Sequence, residues 1–295
     1  MHVLITGGTG FIGRELCQQL FQAGHTVTVL TRAAAAGKAA RPGVRLITTL
    51  EDAQDVDGVI NLAGEPLAEG RWNAARKQQF RDSRIGTTQN LLSWITALPQ
   101  RPRVLVSGSA IGYYGPHNDA PLGESAAAGD DFAATLCSDW ETEAFKARAL
   151  GLRVCAIRIG IVLASDGGAL AKMLPPFKLG AGGPMGSGAQ WMSWVRRSDL
   201  VRLMIWLLHN ESATGVYNGT APVPVTNREF ARTLGAVLKR PAVLTTPAFA
   251  LKLMFGEMAE SLLLTGQRVL PSKAEAEGFE FRFRELQPAL LDLLR

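Results

Sequence analysis

The chain has 295 residues, 47% of them hydrophobic and 19% charged, with a formal net charge of +5. At roughly 100–200 residues per domain, this is one large domain or two smaller ones, able to bury a core without disulfide or metal staples. A mean hydropathy of +0.08 excludes a disordered chain, and no run of about 18 apolar residues is present to make a membrane-spanning helix. Cys17, Cys137 and Cys155 are too scattered for a disulfide framework or a zinc site. Met1 to Ile5 run straight into a glycine loop, so no signal peptide is expected and a cytoplasmic protein is. The pI near 9.3 comes from dispersed basic residues. It fits an ordinary mixed surface, a phosphate-bearing ligand being the other reading; nucleic-acid binding would rest on the pI alone.

His2 to Thr6 is a short aliphatic run of the kind that forms a buried parallel strand. Gly7-Gly8-Thr9-Gly10-Phe11-Ile12-Gly13 follows, then a helix beginning at Phe11 with Leu16, Leu20 and Phe21 at helical spacing, closed by Gly24. Thr26 to Thr31 is a second strand. This β–glycine loop–α–β unit is the first half of a doubly wound sheet. An alanine-rich loop covers Ala33 to Ala40. Further strands are expected at Val44 to Thr48, Val56 to Leu62, Arg103 to Ser107 and Arg153 to Ile159, with long helices at Asn73 to Ala97 and Asp131 to Leu150. After about residue 160 the alternation stops. Gly180 to Gly188 cannot be regular structure; helices are expected at Asp199 to His209, Asn227 to Lys239 and from Pro247 on. A last strand at Phe279 to Phe283 and a helix at Glu285 to Leu294 close the chain. The fold class is therefore α/β, a Rossmann-type doubly wound parallel sheet. Three divisions are expected: a nucleotide-binding domain over 1–160, its sheet completed by later segments, a substrate-side cap over 161–245, and a small C-terminal domain over 246–295.

The glycine fingerprint permits a tight turn, close approach of backbone to a pyrophosphate, and helix-to-strand packing. The following helix points its free N–H groups and positive dipole end at the phosphates. A dinucleotide is the ligand that uses this arrangement. NAD sites carry an acid at the end of strand two; here Leu30-Thr31-Arg32 stands instead, with no acid until Glu51. Arg32 would offer its guanidinium to a 2′-phosphate and Thr31 a hydroxyl, which points to NADP(H).

The chain resembles the extended short-chain dehydrogenase/reductase superfamily, in its nucleoside-diphosphate-sugar epimerase-like branch. It is most similar to a subgroup of unknown substrate with a small C-terminal domain of unknown function. The resemblance spans essentially the whole chain. It is carried by Thr6 to Gly13, Asn61 to Glu65, Arg71-Trp72-Asn73, Ser83-Arg84-Ile85, Ser107 to Gly115, Trp140-Glu141, Arg158 to Leu163 and Gly215 to Gly219. It implies an NADP site in which Gly7, Thr9, Gly10, Phe11, Ile12 and Gly13 form the pyrophosphate loop. Thr31, Arg32, Leu62 and Ala63 would serve the adenosine end, Arg84 and Gln79 would come from the long helix, and Val162 would lie near the nicotinamide.

Superfamily enzymes usually pair a Ser or Thr with Tyr-x-x-x-Lys, because positions i and i+4 share a helix face and the lysine lowers the tyrosine pKa. Tyr113, Tyr114 and Tyr217 are followed four residues on by His117, Asn118 and Ala221. The expected slots hold Phe132 or Ala133 and Leu136 or Cys137; Lys146 is the only lysine in that helix. Ser109 and Tyr114 are the remaining catalytic candidates. Cys137 fits packing better than reactivity. Trp191 and Trp194 fit cap core or a stacking platform, and Arg196-Arg197 a solvated helix entrance or a phosphate contact. No metal-ligand spacing exists among the histidines, so no metal is expected. The leading function is an NADP(H)-binding epimerase-like oxidoreductase acting on a small carbonyl or hydroxyl compound, nucleotide-linked ones included. The alternative is a non-catalytic NADP(H)-binding redox sensor. The expected partner is a small-molecule substrate, with no nucleic acid and no membrane; the oligomeric state is open, a homodimer being one reading.

Overall fold

In the computed structural model, which describes residues 1–32 and 43–295, seven strands form one parallel sheet. In chain order they are β1 (His2–Thr6), β2 (Thr26–Leu30), β3 (Val44–Ile47), β4 (Gly58–Asn61), β5 (Val104–Ala110), β7 (Arg153–Ile159) and β11 (Gly215–Gly219). Their spatial order is β3-β2-β1-β4-β5-β7-β11, every pairing parallel. An all-parallel sheet must be covered on both faces, which is why β1 reads as an unbroken apolar run. The expected Ala33 to Ala40 loop lies outside the described residues.

On one face pack α1 (Gly13–Gln22) and α6 (Arg197–His209). Leu16 and Leu20 meet Leu200, Leu203, Met204 and Leu207 over Val3, Ile5 and Val29. On the other face lie α3 (Thr87–Ala97) and α4 (Phe132–Phe145), with Leu91, Ile95 and Ala144 over Leu4, Val59, Leu105 and Val154. The expected helix from Asn73 is α2 (Ala74–Arg81), capped by the Asn73 side chain on the Arg76 N–H, and it runs into α3 through a π-helical turn at Asp82–Gly86. Such turns inside helices concentrate at functional sites.

Beyond β7 the chain builds a second core from β8 (Ile161–Ala164), α5 (Gly168–Lys178), β10 (Trp194–Arg196), α7 (Asn227–Leu238) and α11 (Leu286–Leu294). Leu170, Phe177, Trp194, Phe230, Leu234 and Leu290 meet there. Two short pairings, β9 (Trp191–Met192) with β12 (Val225–Thr226) and β6 (Pro121–Leu122) with β13 (Arg268–Val269), tie loops together. The C-terminal helices α8 (Ala248–Phe255) and α9 (Glu257–Leu262) lie against the sheet domain. Met258, Phe255 and Leu262 join Trp72, Phe80, Phe132 and Leu136 in one cluster, while α10 (Ser272–Ala276) puts Ala274 into the main core.

Two expectations change. The first helix begins at Gly13 rather than Phe11, after a turn. No strand forms at Phe279 to Phe283. Its alternation is real, since Phe279 and Phe281 are buried in the core at a ring separation of 4.9 Å. But the N–H groups of Arg282 and Phe283 donate to the buried Asp199 carboxylate at 3.2 and 2.8 Å, not to a neighbouring strand.

Candidate functional site

The glycine loop leaves the carboxyl end of β1, between β2 and β4, where ligands of open α/β sheets bind. Gly7 has φ +70°, and a Cβ there would sit 2.5 Å from the Leu62 carbonyl oxygen; one on Gly13 would run into the Gly7 carbonyl. The loop therefore lies hard against the end of β4 and the start of α1. Thr6 Oγ donates to Asn61 Oδ1 at 2.6 Å and accepts from the Ala63 N–H at 3.2 Å. Asn61 continues to Thr88 Oγ, which also accepts from Trp140 Nε1. This chain of hydrogen bonds fixes the floor beside Leu62 and Ala63. Thr9 is half-buried and Gly10 exposed, so the turn of the loop is open to a ligand.

Phe11 is pinned from outside. Its ring lies against Gly167 and Gly168, where added Cβ atoms would come within 2.7 and 2.9 Å. Arg197 stacks 4.8 Å from the ring centroid, donates to the Phe11 carbonyl, and pairs with Glu15 and Asp166. Arg196 pairs with Asp292. These two arginines are thus engaged within the protein. Trp194 is fully buried and donates to the Val223 carbonyl; Trp191 donates to Asp119 and carries Arg268 on its face.

At the adenosine end, Thr31 follows β2 and its N–H donates to Ile47. Arg32 is 89% exposed and its Nη1 lies 3.2 Å from Glu65 Oε1. Gln79 Oε1 accepts from Arg76 at 3.1 Å. Arg84 lies in the π-helical turn and donates to the carbonyls of Phe80 and Glu65. Its guanidinium is packed against Gly64, and its carbon lies 5.4 Å from the Trp140 ring. Burial lowers its pKa, partly offset by the nearby Cys137 and Glu65, and it forms no salt bridge among the described residues. Val162 sits in β8, paired with Val195. The loop meets Leu62 and Ala63, and Arg32 and Arg84 both reach Glu65 just beyond them, at the carboxyl ends of β1 and β4; Gln79 is held by its own helix.

Ser109 and Tyr114 belong to a buried network that the sequence did not reveal. Ser109 Oγ donates to Glu141 Oε1 at 2.6 Å, and Arg158 holds the same carboxylate through Nε at 2.8 Å and Nη2 at 2.9 Å. Arg158 Nη1 donates to Tyr114 Oη at 3.0 Å, and Tyr114 donates to Asn218 Oδ1 at 2.7 Å. Tyr114 is fully buried and Ser109 nearly so. Burial would depress the Arg158 pKa, but Glu141 and then Tyr114 reverse this and raise it. Burial likewise raises the Tyr114 pKa against the opposing pull of Arg158. Cys137 stands one turn before Glu141, hydrogen-bonded with the Ala110 backbone and Ser109; burial first, then Glu141, pushes its thiol up to about 11, which makes it inert. The signal for this network was Arg158, a charge inside an apolar strand, since a buried charge needs a partner.

A family model described as the NAD dependent epimerase/dehydratase family matches residues 3–218, and one for a domain of unknown function (DUF1731) matches residues 246–293. The chain belongs to the NAD dependent epimerase/dehydratase family. The chloroplastic epimerase family protein SDR39U1 homolog of Arabidopsis thaliana is 43% identical over 305 residues, covering 100% of this chain and 87% of that protein. Human epimerase family protein SDR39U1 is 39% identical, each chain fully covered. The crystal structure of the human protein, isoform 2, with NADPH superposes with a TM-score of 0.90 at 37% identity over 99% of both chains. A UDP-glucose 4-epimerase from Thermotoga maritima, at 18% identity and a TM-score of 0.80, over 99% of this chain and 97% of that one, shows the shared fold alone. No helix among the described residues is long and apolar enough to cross a membrane.

Proposed function

We propose that the protein binds NADP(H) in the crevice around the glycine loop and is an epimerase-like oxidoreductase of a small carbonyl or hydroxyl compound, nucleotide-linked sugars included. The observation that carries this reading is the fit of Gly7 against Leu62 and of Gly13 against Gly7, a backbone cradle with no room for a side chain. The human relative crystallised with NADPH supports it. Bound there, the cofactor would supply hydride chemistry. The loop N–H groups of Thr9 and of Phe11 to Gly13, with the positive end of α1, would carry the pyrophosphate, the Gly10 N–H being held by the Gly7 carbonyl, and Arg32 would carry the 2′-phosphate. Arg84, a partly buried cation that makes no salt bridge among the described residues, would face the bound anion. Ser109 donates a hydrogen bond to Glu141 and is nearly fully buried, so its part in turnover would be to position β5 through the Glu141–Arg158 pair rather than to touch a substrate hydroxyl. The substrate is the expected partner. The burial of Cys17, Cys137 and Cys155 as thiols supports a reducing, cytoplasmic setting.

The second reading, a redox sensor without turnover, is favoured by the engagement of both Ser109 and Tyr114 hydroxyls inside the network. NADPH oxidation over a panel of ketones, aldehydes and sugar nucleotides separates the two. Turnover that Ser109→Ala reduces, with NADPH affinity unchanged, supports the enzyme. Tight NADPH binding with no turnover on a broad panel supports the sensor.

A further inference from the structure

Arg32 follows β2 by two residues and Glu65 follows β4 by four, and β1 lies between those strands. Their ion pair, 3.2 Å between Arg32 Nη1 and Glu65 Oε1, therefore reaches across the carboxyl end of β1, over the strand that feeds the glycine loop. The Glu65 backbone is fixed on both sides. Its N–H donates to Ser83 Oγ at 3.0 Å, and its carbonyl accepts from Arg84 Nη2 at 2.9 Å. These bonds hold the Glu65 backbone beside the loop while its side chain stays free to turn. An acid thus stands at the adenosine end after all, supplied by β4 rather than by the end of β2.

We propose that Glu65 is a specificity-determining residue that occupies Arg32 in the free protein and is exchanged for the 2′-phosphate on binding. The proposal rests on the NADP(H) reading above. A phosphate monoester carries about −1.5 to −2 charges at neutral pH and outcompetes a single carboxylate for one guanidinium. A ligand with a bare ribose offers Arg32 nothing, so the pair stays closed. Glu65 thereby narrows the advantage of NADPH over NADH. The pair is largely exposed at Arg32 and partly at Glu65, so the exchange costs little, about 2- to 5-fold in affinity.

The test is a titration of wild type, Glu65→Gln, Arg32→Ala and the double variant with NADPH, NADH, 2′,5′-ADP and 5′-ADP. Nucleotide binding is read directly, without turnover. Glu65→Gln should bind NADPH and 2′,5′-ADP about 2- to 5-fold more tightly, with NADH and 5′-ADP unchanged. The gain should shrink at high salt, which screens an exposed pair, and vanish in the Arg32→Ala background. Wild type that binds NADPH, with Glu65→Gln no tighter, overturns the exchange alone. A gain that persists without Arg32 also overturns it. Wild type that binds neither NADPH nor 2′,5′-ADP overturns the cofactor reading and this inference together.

Discussion

Arg158 on β7 and Glu141 on α4 form a two-pronged ion pair in the interior, with side chains only 4% and 7% exposed. Ser109 donates to the same carboxylate, and the Arg158 guanidinium stacks 3.3 Å from the centre of the Tyr113 ring. Fully partnered, such a pair contributes more to a unique arrangement than to stability. Breaking it leaves a buried charge alone, which costs about 3–5 kcal/mol. Glu141→Gln and Arg158→Met should each lower the unfolding free energy by about that amount in urea titrations. A loss below about 1 kcal/mol for either would show that the charge is not confined as described.

Tyr114 links this pair to the C-terminal region, because Asn218 accepts its proton and passes Nδ2 on to the Leu270 carbonyl at 2.9 Å. Tyr114→Phe removes one hydroxyl and leaves Asn218 Oδ1 and one Arg158 donor short of a partner. The expected cost is about 1–3 kcal/mol, with NADPH affinity unchanged. Weakened cofactor binding at intact stability would instead place the phenol in the crevice.

The glycine cradle makes a paired prediction. Gly7 and Gly70 both have positive φ, +70° and +69°, but an added Cβ at Gly70 meets nothing within 4 Å. Gly70→Ala should cost only the left-handed backbone penalty of about 1–2 kcal/mol. Gly7→Ala adds the collision with Leu62 and should abolish NADPH binding or weaken it at least tenfold. Equal effects of the two on cofactor affinity would contradict the cradle.

His25 and His209 face each other with Nε2 atoms 3.2 Å apart. Burial lowers the pKa of both, the N-terminal ammonium of Met1 lowers both further, and for His25 the His209 ring adds to the effect. The unfolded chain, with ordinary values near 6.5, then binds more protons than the folded one. Stability is complete above that range and is lost as pH falls through about 6.5 toward the depressed folded values. His209→Gln should flatten the decline in urea midpoint between pH 8 and pH 5. An identical decline in wild type and variant would show that the pair does not carry it.

Six of the seven sheet strands were legible because each is a local run of β-branched and aliphatic residues. β11 was not: only Val216 and Tyr217 are apolar between its glycines, and its place beside β7 comes from tertiary packing. The Phe279 to Phe283 segment misled for the opposite reason. Its alternation reports burial correctly, but strand formation needs a neighbour, and Asp199 took the N–H groups instead. The glycine loop was readable because its chemistry lies within seven consecutive residues. Ser109–Glu141 and Arg32–Glu65 join residues 32 and 33 positions apart on different elements. No local spacing rule finds such pairs.

In the proposed reading the glycine loop at Gly7 to Gly13 holds NADP(H), and Arg32 selects the 2′-phosphate. Calorimetric titration of wild type and Arg32→Ala with NADPH and NADH tests it most directly. Wild type should bind NADPH at least several-fold more tightly than NADH, and Arg32→Ala should remove the difference by weakening NADPH alone. Equal affinities in wild type, or a preference that survives the loss of Arg32, would contradict it.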